Sequence, residues 1–351
     1  MTVRFARRAA PGALALIALL VTACGGDPEP APTTTVPAAV EAQKAAPPTP
    51  DAPIVWPLTG VETDEVAARP ALAVKIENDP VVRPQTGLDA ADMVWEQVIE
   101  GGVTRFVAVY HSRVPDAVEP VRSVRPMDPA IVAPLDGILA YSGAQQPFID
   151  DVRAAGTQSV IMDAGDPGFR RDPGAAAPHN VIGDPQAFLA QADGERTAPP
   201  PAQFAFAAEG RSTAVADGAE RSSLDVHLSP RQTAGWDWDA DAGAWLRREG
   251  ADPSMAASGE RHAAANVVVL EVEVVDTSFK DPAGAPVPET QLVGSGTAFV
   301  ASGGRVLEAE WSKESVRDPV ELVAGGEPVE LEPGATWVEL LPTSGGLDVN
   351  P

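Results

Sequence analysis

Cysteine is nearly absent from this chain of 351 residues, which has a single one, Cys24. No disulfide bond can therefore form within the chain. Basic residues are also scarce, since 25 lysines and arginines face 50 aspartates and glutamates and the net charge is −25. Such a chain repels polyanions unless it carries a strongly localised basic patch, and none is visible. The composition argues against nucleic acid as a partner.

Long hydrophobic runs are missing as well. The most apolar stretch near the N-terminus, residues 13–21, is too short to span a bilayer core of about 30 Å. A basic start precedes it, which is the layout of a secretory signal peptide. The next residues, Val21-Thr22-Ala23-Cys24, match the lipobox of bacterial lipoproteins. We expect residues 1–23 to be the signal and Cys24 to carry lipid that anchors the protein outside the cytoplasmic membrane.

The rest of the chain predicts two domains, because its length exceeds what one core usually holds. Residues 24–53, rich in Pro, Ala and Thr, cannot bury a core and are expected to form a disordered stalk. We place the first domain at 54–199, the second at 200–342 and a tail at 343–351. A polar, proline-rich break at 192–201 marks the boundary.

The first domain is predicted to be α/β or α+β with a mixed sheet. Apolar runs indicate strands at 71–76, 93–99, 103–110, 137–141 and 159–162, and helices are expected within 126–135, 147–154 and 185–191. In the second domain short strands recur between turn residues, with the clearest at 266–275 and the last at 337–341. That spacing predicts a mostly antiparallel β domain.

The segment 92–126 holds most candidate site residues. Gly101-Gly102 predicts a hairpin between two strands. Glu96 and Glu100 share one face of the first strand, so they are either a carboxylate pair for acid/base chemistry or partners for nearby cations. Glu100 and Arg105 bracket the glycines, and a structural cross-strand pair is the favoured interpretation.

Arg122 and Arg125 follow in a loop bounded by Pro120 and Pro126. Paired guanidinium groups suit the capture of carboxylate or phosphate, since each binds two oxygens. The alternative is internal pairing with Glu96, Glu100 or Asp128.

His179, next to Asn180, is the most chemically suggestive single residue. It is either a general base or anion-binding imidazole, or a histidine that fastens its loop by hydrogen bonds. The other three histidines lack ligand spacing, so no metal site is predicted. Asp237, Asp239 and Asp241 resemble the start of a calcium loop, but Arg248 stands where a glutamate belongs, and a hairpin turn is the better interpretation. No cofactor is predicted.

Several motifs in order along the chain resemble a known family. They are Pro57-Leu58-Thr59-Gly60, RPALAVKIEN, RPQTGL, EGGVTRF, PVRSVRP, Arg171-Asp172, Ala177-Pro178-His179-Asn180, LVGSG, Trp311-Ser312-Lys313, Arg317-Asp318-Pro319 and PGATW. The chain resembles the YerB-like lipoproteins, a family with N- and C-terminal domains of unknown function (DUF3048). The resemblance implies an extracytoplasmic lipoprotein and supplies no catalytic or binding residues.

Two functions follow as hypotheses. In the first, the lipid-anchored body binds an envelope component or a partner protein without catalysis. In the second, it is a cell-envelope hydrolase or transferase that uses His179 with Arg122, Arg125 and an acid from Glu96 or Glu100. The sequence favours the first because it contains no complete catalytic constellation.

Overall fold

The computed structural model of the protein describes residues 53–351, which form one compact unit. The predicted signal peptide, Cys24 and nearly all of the stalk lie outside the described residues. No helix in the described part is long and apolar enough to cross a membrane.

The first half alternates strands with short helices. Its strands are β1 (Leu72–Glu77), β2 (Met93–Val98), β3 (Thr104–Tyr110), β4 (Ile138–Tyr141), β5 (Gln158–Ile161), β6 (Phe169–Arg171) and β7 (Val181–Gly183). Its helices are α1 (Asp128–Val132), α2 (Gln146–Ala154) and α3 (Pro185–Leu189), with 3-10 turns at Pro80–Val82, Leu88–Ala90, Glu100–Gly102, Ala133–Leu135 and Met162–Ala164. Every strand and helix predicted for this half is present. Most of their ends lie within one or two residues of the predicted positions.

The second half is mostly β. Its elements are β8 (Ala205–Phe206), α4 (Thr213–Asp217), β9 (Ala219–Glu220), β10 (Ser223–Ser229), β11 (Gln232–Asp239), β12 (Ala244–Glu249), β13 (Asp252–Pro253), β14 (Ala263–Ala264), β15 (Asn266–Lys280), β16 (Pro286–Gln291), β17 (Gly294–Ser302), β18 (Arg305–Lys313), β19 (Glu321–Ala324), β20 (Glu327–Pro328), β21 (Glu330–Leu331), β22 (Thr336–Pro342) and β23 (Gly346–Asn350). Residues expected to form a tail instead contain β23, which pairs antiparallel with β10.

One mixed sheet runs through both halves of the described chain. Its order is β20-β19-β18-β17-β15-β22-β2-β3-β1-β4-β5, with β16 beside β15 and β9 beside β18. Strand β22 lies between β15 and β2 and is parallel to both. The two halves are therefore joined by main-chain hydrogen bonds, and the domain boundary after residue 199 remains a sequence-based prediction.

A second, antiparallel sheet covers one face of the mixed sheet. Its order is β13-β12-β11-β10-β23, with β14 beside β12. Helices α1 and α2 pack on the other face. The central strands of the mixed sheet are therefore buried on both faces, which explains why β1, LAVKIE, is buried at every position instead of alternating with exposed residues.

Alternate residues of the central strands enter two separate cores. Met93 and Trp95 pack in a core with helices α1 and α2, and Val94 packs in the core under the second sheet. This alternation is the period of two residues that a β-strand imposes on its side chains. The hairpin from β2 to β3 turns at Gly101 and Gly102, both at φ +73°, a left-handed conformation that glycine adopts without steric cost.

Candidate functional site

The C-terminal end of β1 brings Arg122 and His179 together through Glu77. Glu77 Oε2 lies 3.0 Å from His179 Nδ1, and Glu77 Oε1 lies 3.2 Å from Arg122 Nε. The second contact is an ion pair without the alignment of a hydrogen bond. Sequence reasoning missed Glu77, although an acid at the end of a largely apolar strand is itself a signal, since buried charges need partners.

Main-chain pairing fixes the loop that carries Arg122. The Arg122 N–H donates to the carbonyl of Lys75 on β1 at 2.8 Å, and the Val121 N–H donates to the carbonyl of Val181 on β7 at 2.8 Å. The guanidinium Nη1 donates to the carbonyl of Pro178 at 2.9 Å. The arginine loop and the histidine loop are thereby held side by side.

Arg125 pairs internally, as one of the two interpretations predicted. Its Nε lies 2.8 Å from Glu100, its Nη1 donates to the carbonyl of Val124, and its main-chain N–H donates to Asp128. Glu100 therefore does not form the expected cross-strand pair with Arg105. The reason is that Glu100 lies in the 3-10 turn of the hairpin, while Arg105 stands opposite Gln97 within the strand ladder.

A buried pair supports the Arg125 loop from below. Lys75 Nζ lies 2.7 Å from Asp128 Oδ1, and Gln97 Nε2 donates to the same oxygen at 2.6 Å. Burial lowers the pKa of Lys75 to about 8, with Asp128 opposing the shift. Asp128 thus fastens β1, β2 and the Arg125 main chain at one point.

Arg105 is the least compensated cation of the group. Only 4% of the residue is exposed, its Nη1 donates to the carbonyl of Ser123 at 2.7 Å, and its Nε is buried without a hydrogen-bond partner. Burial, and then the charges of Arg125 and Arg122, lower the pKa of Arg105 to about 9. An anion that bound beside Arg105 would stabilise the charged form of this guanidinium group.

Each of the three arginines has one unused donor atom. Among the described residues, the Nη2 atoms of Arg105, Arg122 and Arg125 have no hydrogen-bond partner, and none of the three is a buried atom. Planar guanidinium groups bind carboxylate and phosphate oxygens in defined geometry. We call Arg105, Arg122, Arg125, His179 and Glu77 the arginine cluster.

Asn180 has a structural role in this arrangement. Its Oδ1 accepts from Arg171 at 2.8 Å, and its Nδ2 donates to the carbonyls of Asp172 and Ala175. Both polar atoms of its side chain therefore bind groups of the loop itself. His179 next to it keeps a third of its side chain exposed, and its Nε2 has no protein partner among the described residues and is not buried.

Glu96 lies away from the arginine cluster, on the face of β2 under the second sheet. There its Oε2 meets Arg247 at 2.5 Å, and its Oε1 accepts from Asn78 and Thr104. The hypothesis of a Glu96 and Glu100 carboxylate pair is wrong, because the two side chains bind different arginines.

Arg247 is the centre of a second, fully buried polar cluster. It pairs with Glu96, with Glu249 at 2.9 Å and with Glu339 at 2.8 Å, and it packs against the rings of Phe106, Trp236 and Trp337. Burial alone would lower the pKa of Arg247, but the three carboxylates together raise it. Sequence patterns gave no sign of this cluster, since Glu96 on β2 and Glu339 on β22 are far in the chain from Arg247 and Glu249 on β12.

Metal ligation has no support within the described residues, where no group of three or more histidines, cysteines and acids is placed to hold an ion. The aspartates of the calcium-like motif serve other purposes. Asp237 pairs with Arg248 and Arg261, and Asp239 accepts the N–H groups of Asp241 and Ala242 in the turn between β11 and β12. The predicted hairpin is confirmed.

Two protein-family models match the sequence of this chain. Residues 58–198 match the model described as the N-terminal domain of a protein of unknown function, DUF3048, and residues 224–338 match its C-terminal domain. The chain belongs to the DUF3048 family. The predicted family resemblance is thereby confirmed, and so is the fold class of a mixed-sheet N-terminal part with a mainly antiparallel C-terminal part.

Relatives of this DUF3048 chain include the Bacillus subtilis protein YerB, whose name marks it as a candidate lipoprotein. The two are 42% identical over 88 residues, which is 25% of this chain and 27% of that protein. The crystal structure of YerB from Bacillus subtilis superposes with a TM-score of 0.72 at 23% identity, covering 84% of this chain and 99% of that one. The second comparison shows a shared fold.

Proposed function

We propose that this DUF3048 protein is a lipid-anchored extracytoplasmic protein whose folded body binds an anionic component of the cell envelope. The location rests on the lipobox at Val21–Cys24 and on the lipoprotein name of its relative. The binding role rests on the arginine cluster. Residues 24–53 would then be the tether between the anchor and the binding body.

The observation that carries the proposal is the unused Nη2 donor on each of three neighbouring arginines. These three cations lie close enough for Arg125 and Arg122 to lower the pKa of Arg105, in a chain whose net charge is −25. Concentrating like charges costs free energy, and the cost is recovered when an anion binds between them. A phosphate or carboxylate group with two or more oxygens matches these donors.

A binding experiment tests this role. The full-length chain, purified in detergent, is titrated with inorganic phosphate, with a glycerol-phosphate polymer and with a polyuronate. We expect binding of at least one polyanion and weakening by about tenfold or more in Arg122→Gln/Arg125→Gln, since each charge-assisted hydrogen bond contributes about 1.5–3 kcal/mol. Binding should also weaken as salt is added.

The matched control is Arg153→Gln, because Arg153 is an exposed arginine in the last turn of α2. It removes one positive charge outside the cluster and should leave binding unchanged. Equal affinity for the double variant and the wild type would reject the arginine cluster as the binding site.

One observation favours the second candidate, an envelope hydrolase or transferase. The Nδ1 of His179 is 3.0 Å from a carboxylate oxygen of Glu77, an arrangement that orients an imidazole as a general base at Nε2. Incubation with fragmented cell envelope tests this candidate. Turnover that disappears in His179→Ala would favour the enzyme. Absence of turnover in the wild type would reject the enzyme and leave binding as the proposed function.

Lipid anchoring is tested separately. We expect mass spectrometry of the mature protein to find acylated Cys24 as its first residue. The Cys24→Ala form should no longer be found in the membrane fraction. If it still sediments with the membranes, Cys24 is not the anchor.

A further inference from the structure

A polar cleft, separate from the arginine cluster, lies where the first half of the chain meets the second sheet. Its volume is about 350 Å³, at the low end of the roughly 300–1,000 Å³ typical of small-molecule sites. One wall is the loop from Pro80 to Gln85 and the other is the chain from Glu249 to Met255. The polar lining residues are Arg83, Gln85, Glu249, Asp252 and Ser254.

The inner wall of this cleft is rigidly built. Arg83 Nη2 donates to the carbonyl of Asn78 at 2.9 Å and to Gln232 at 3.1 Å, and lies 3.0 Å from Glu249. The other oxygen of Glu249 accepts from Arg247 at 2.9 Å and from Ser254. The guanidinium group of Arg83 is therefore held in place by the buried Arg247 cluster behind it.

Three polar groups of the lining remain available. Among the described residues, Arg83 Nη1 and Gln85 Oε1 have no hydrogen-bond partner and are not buried atoms. The exposed carboxylate of Asp252 forms no ion pair with any described residue. The cleft thus offers one cationic donor, one neutral acceptor and one anionic acceptor.

We infer that the cleft binds a small zwitterion, either a free α-amino acid or a short peptide with both termini free. The ligand carboxylate bonds Arg83 Nη1, and its ammonium group bonds Asp252 and Gln85 Oε1. Pro84, Pro253 and the partly exposed Met255 line the space left for an apolar side chain. This site shares no residue with the arginine cluster, and binding of its ligand does not depend on that cluster.

The charge pattern selects a zwitterion over simpler ions. A plain anion attracted to Arg83 would meet the unpaired carboxylate of Asp252 in the same small cleft, and a plain cation would meet Arg83. A neutral polyol would leave Asp252 without a counter-ion and would give Arg83 Nη1 only a neutral acceptor, since the ion pair of Arg83 with Glu249 uses Nη2. A zwitterion supplies both an ammonium group for Asp252 and a carboxylate for Arg83 Nη1, and an unpaired charge such as that of Asp252 is costly when a ligand excludes water from it.

Titration calorimetry on the full-length chain in detergent tests the inference. The probes are single L- and D-amino acids, alanyl dipeptides, and the N-acetyl and amide derivatives of whichever probe binds. We expect at least one amino acid or dipeptide to bind, and both blocked derivatives to bind at least about tenfold more weakly. The free and peptide probes distinguish the two sources of the ligand.

The test variant is Asp252→Asn and its control is Asp241→Asn, another exposed aspartate of the same sheet region. We expect about a tenfold or greater loss of affinity in the first and no change in the second, at unchanged unfolding midpoints. Arg122→Gln/Arg125→Gln should keep wild-type affinity, so that failure of this site and failure of the arginine cluster are distinguishable. Absence of binding by every probe, or wild-type affinity in Asp252→Asn, would overturn the inference.

Discussion

Glu96 and Glu339 stand directly opposite each other on neighbouring parallel strands, and both carboxyl groups contact the buried guanidinium group of Arg247. Both glutamates are inaccessible to solvent. Strand β22 comes from the end of the chain and β2 from its first third, so this contact exists only because the two halves share one sheet. The cluster has three glutamates, Glu249 being the third, and two arginines, Arg247 and Arg83. If one of the three carboxyl groups keeps its proton, the cluster has two negative and two positive charges.

The first prediction concerns Arg247. Replacing it in Arg247→Met leaves buried carboxylates without their shared cation, and we expect a loss of about 3–5 kcal/mol in the free energy of unfolding. Denaturant unfolding measures the change. The neighbouring Arg248 pairs with Asp225 and Asp237 at the partly exposed side of the second sheet, and Arg248→Met should cost only about 1 kcal/mol. Equal losses in the two variants would contradict the central role of Arg247.

The second prediction is a pH dependence from Glu339. Burial, and then the adjacent Glu96 carboxylate, raise the pKa of Glu339 well above its usual value of 4.5. The folded state therefore keeps a proton that the unfolded chain releases, so this contribution to stability is complete below pH 4.5 and is lost as the pH rises toward the folded value.

Glu339→Gln removes that proton exchange and should flatten the decline in stability above pH 5. The measurement is the free energy of unfolding by denaturant from pH 5 to pH 8. The exposed Glu308→Gln is the control for the lost charge and should retain the wild-type slope. If Glu339→Gln also retains the wild-type slope, Glu339 does not hold the proton.

The third prediction concerns His262, which is buried beside Ser254 and Trp337. Burial, with the charge of Arg247, lowers the pKa of His262 to about 4. The unfolded chain binds a proton near pH 6.5 that the folded state refuses. Stability from this residue is thus present above pH 6.5 and falls by up to about 3 kcal/mol between pH 6.5 and 4.

His262→Gln should lose that part of the acid sensitivity, as measured by unfolding at pH 7 and pH 5. Ser254→Ala keeps the imidazole and should keep the sensitivity. An unchanged difference between the two pH values in His262→Gln would show that other groups control acid unfolding.

The fourth prediction separates stability from binding at Arg105. This buried cation has one unpartnered Nε and no ion pair among the described residues, so Arg105→Met, which preserves its length, should leave the free energy of unfolding unchanged or raise it by about 1 kcal/mol. Binding of the polyanion proposed above should weaken by about tenfold. A loss of more than about 2 kcal/mol in stability would assign Arg105 a structural role instead.

The local elements were largely predictable because their signals are local. Apolar runs closed by turn residues gave the strands from β1 to β5, and the glycine pair gave the hairpin. The end of the chain was different. Strand β23, GLDVN, carries only two large apolar residues and is recognisable only through its pairing with β10. Its assignment as a tail shows where periodicity gives no signal.

The candidate site divides in the same way. The guanidinium pair of Arg122 and Arg125 and the partly exposed His179 were visible as motifs because each is bounded by prolines or follows one. Their shared partner Glu77 was not, since its role depends on the end of β1 lying next to both loops. Glu96 looked like a neighbour of Glu100 at strand spacing, yet the turn at Glu100–Gly102 carries the second glutamate away to Arg125.

The sequence by itself determined the acidic charge, the lipobox, the strand and helix segments of the first half and the family. All of these depend on composition or on residues close together in the chain. Only the tertiary structure decided that β22 joins the halves, that Glu77 links Arg122 to His179, and that Arg247 meets three glutamates. Each of these depends on contacts between distant segments, which sheet order and register fix and local patterns do not encode.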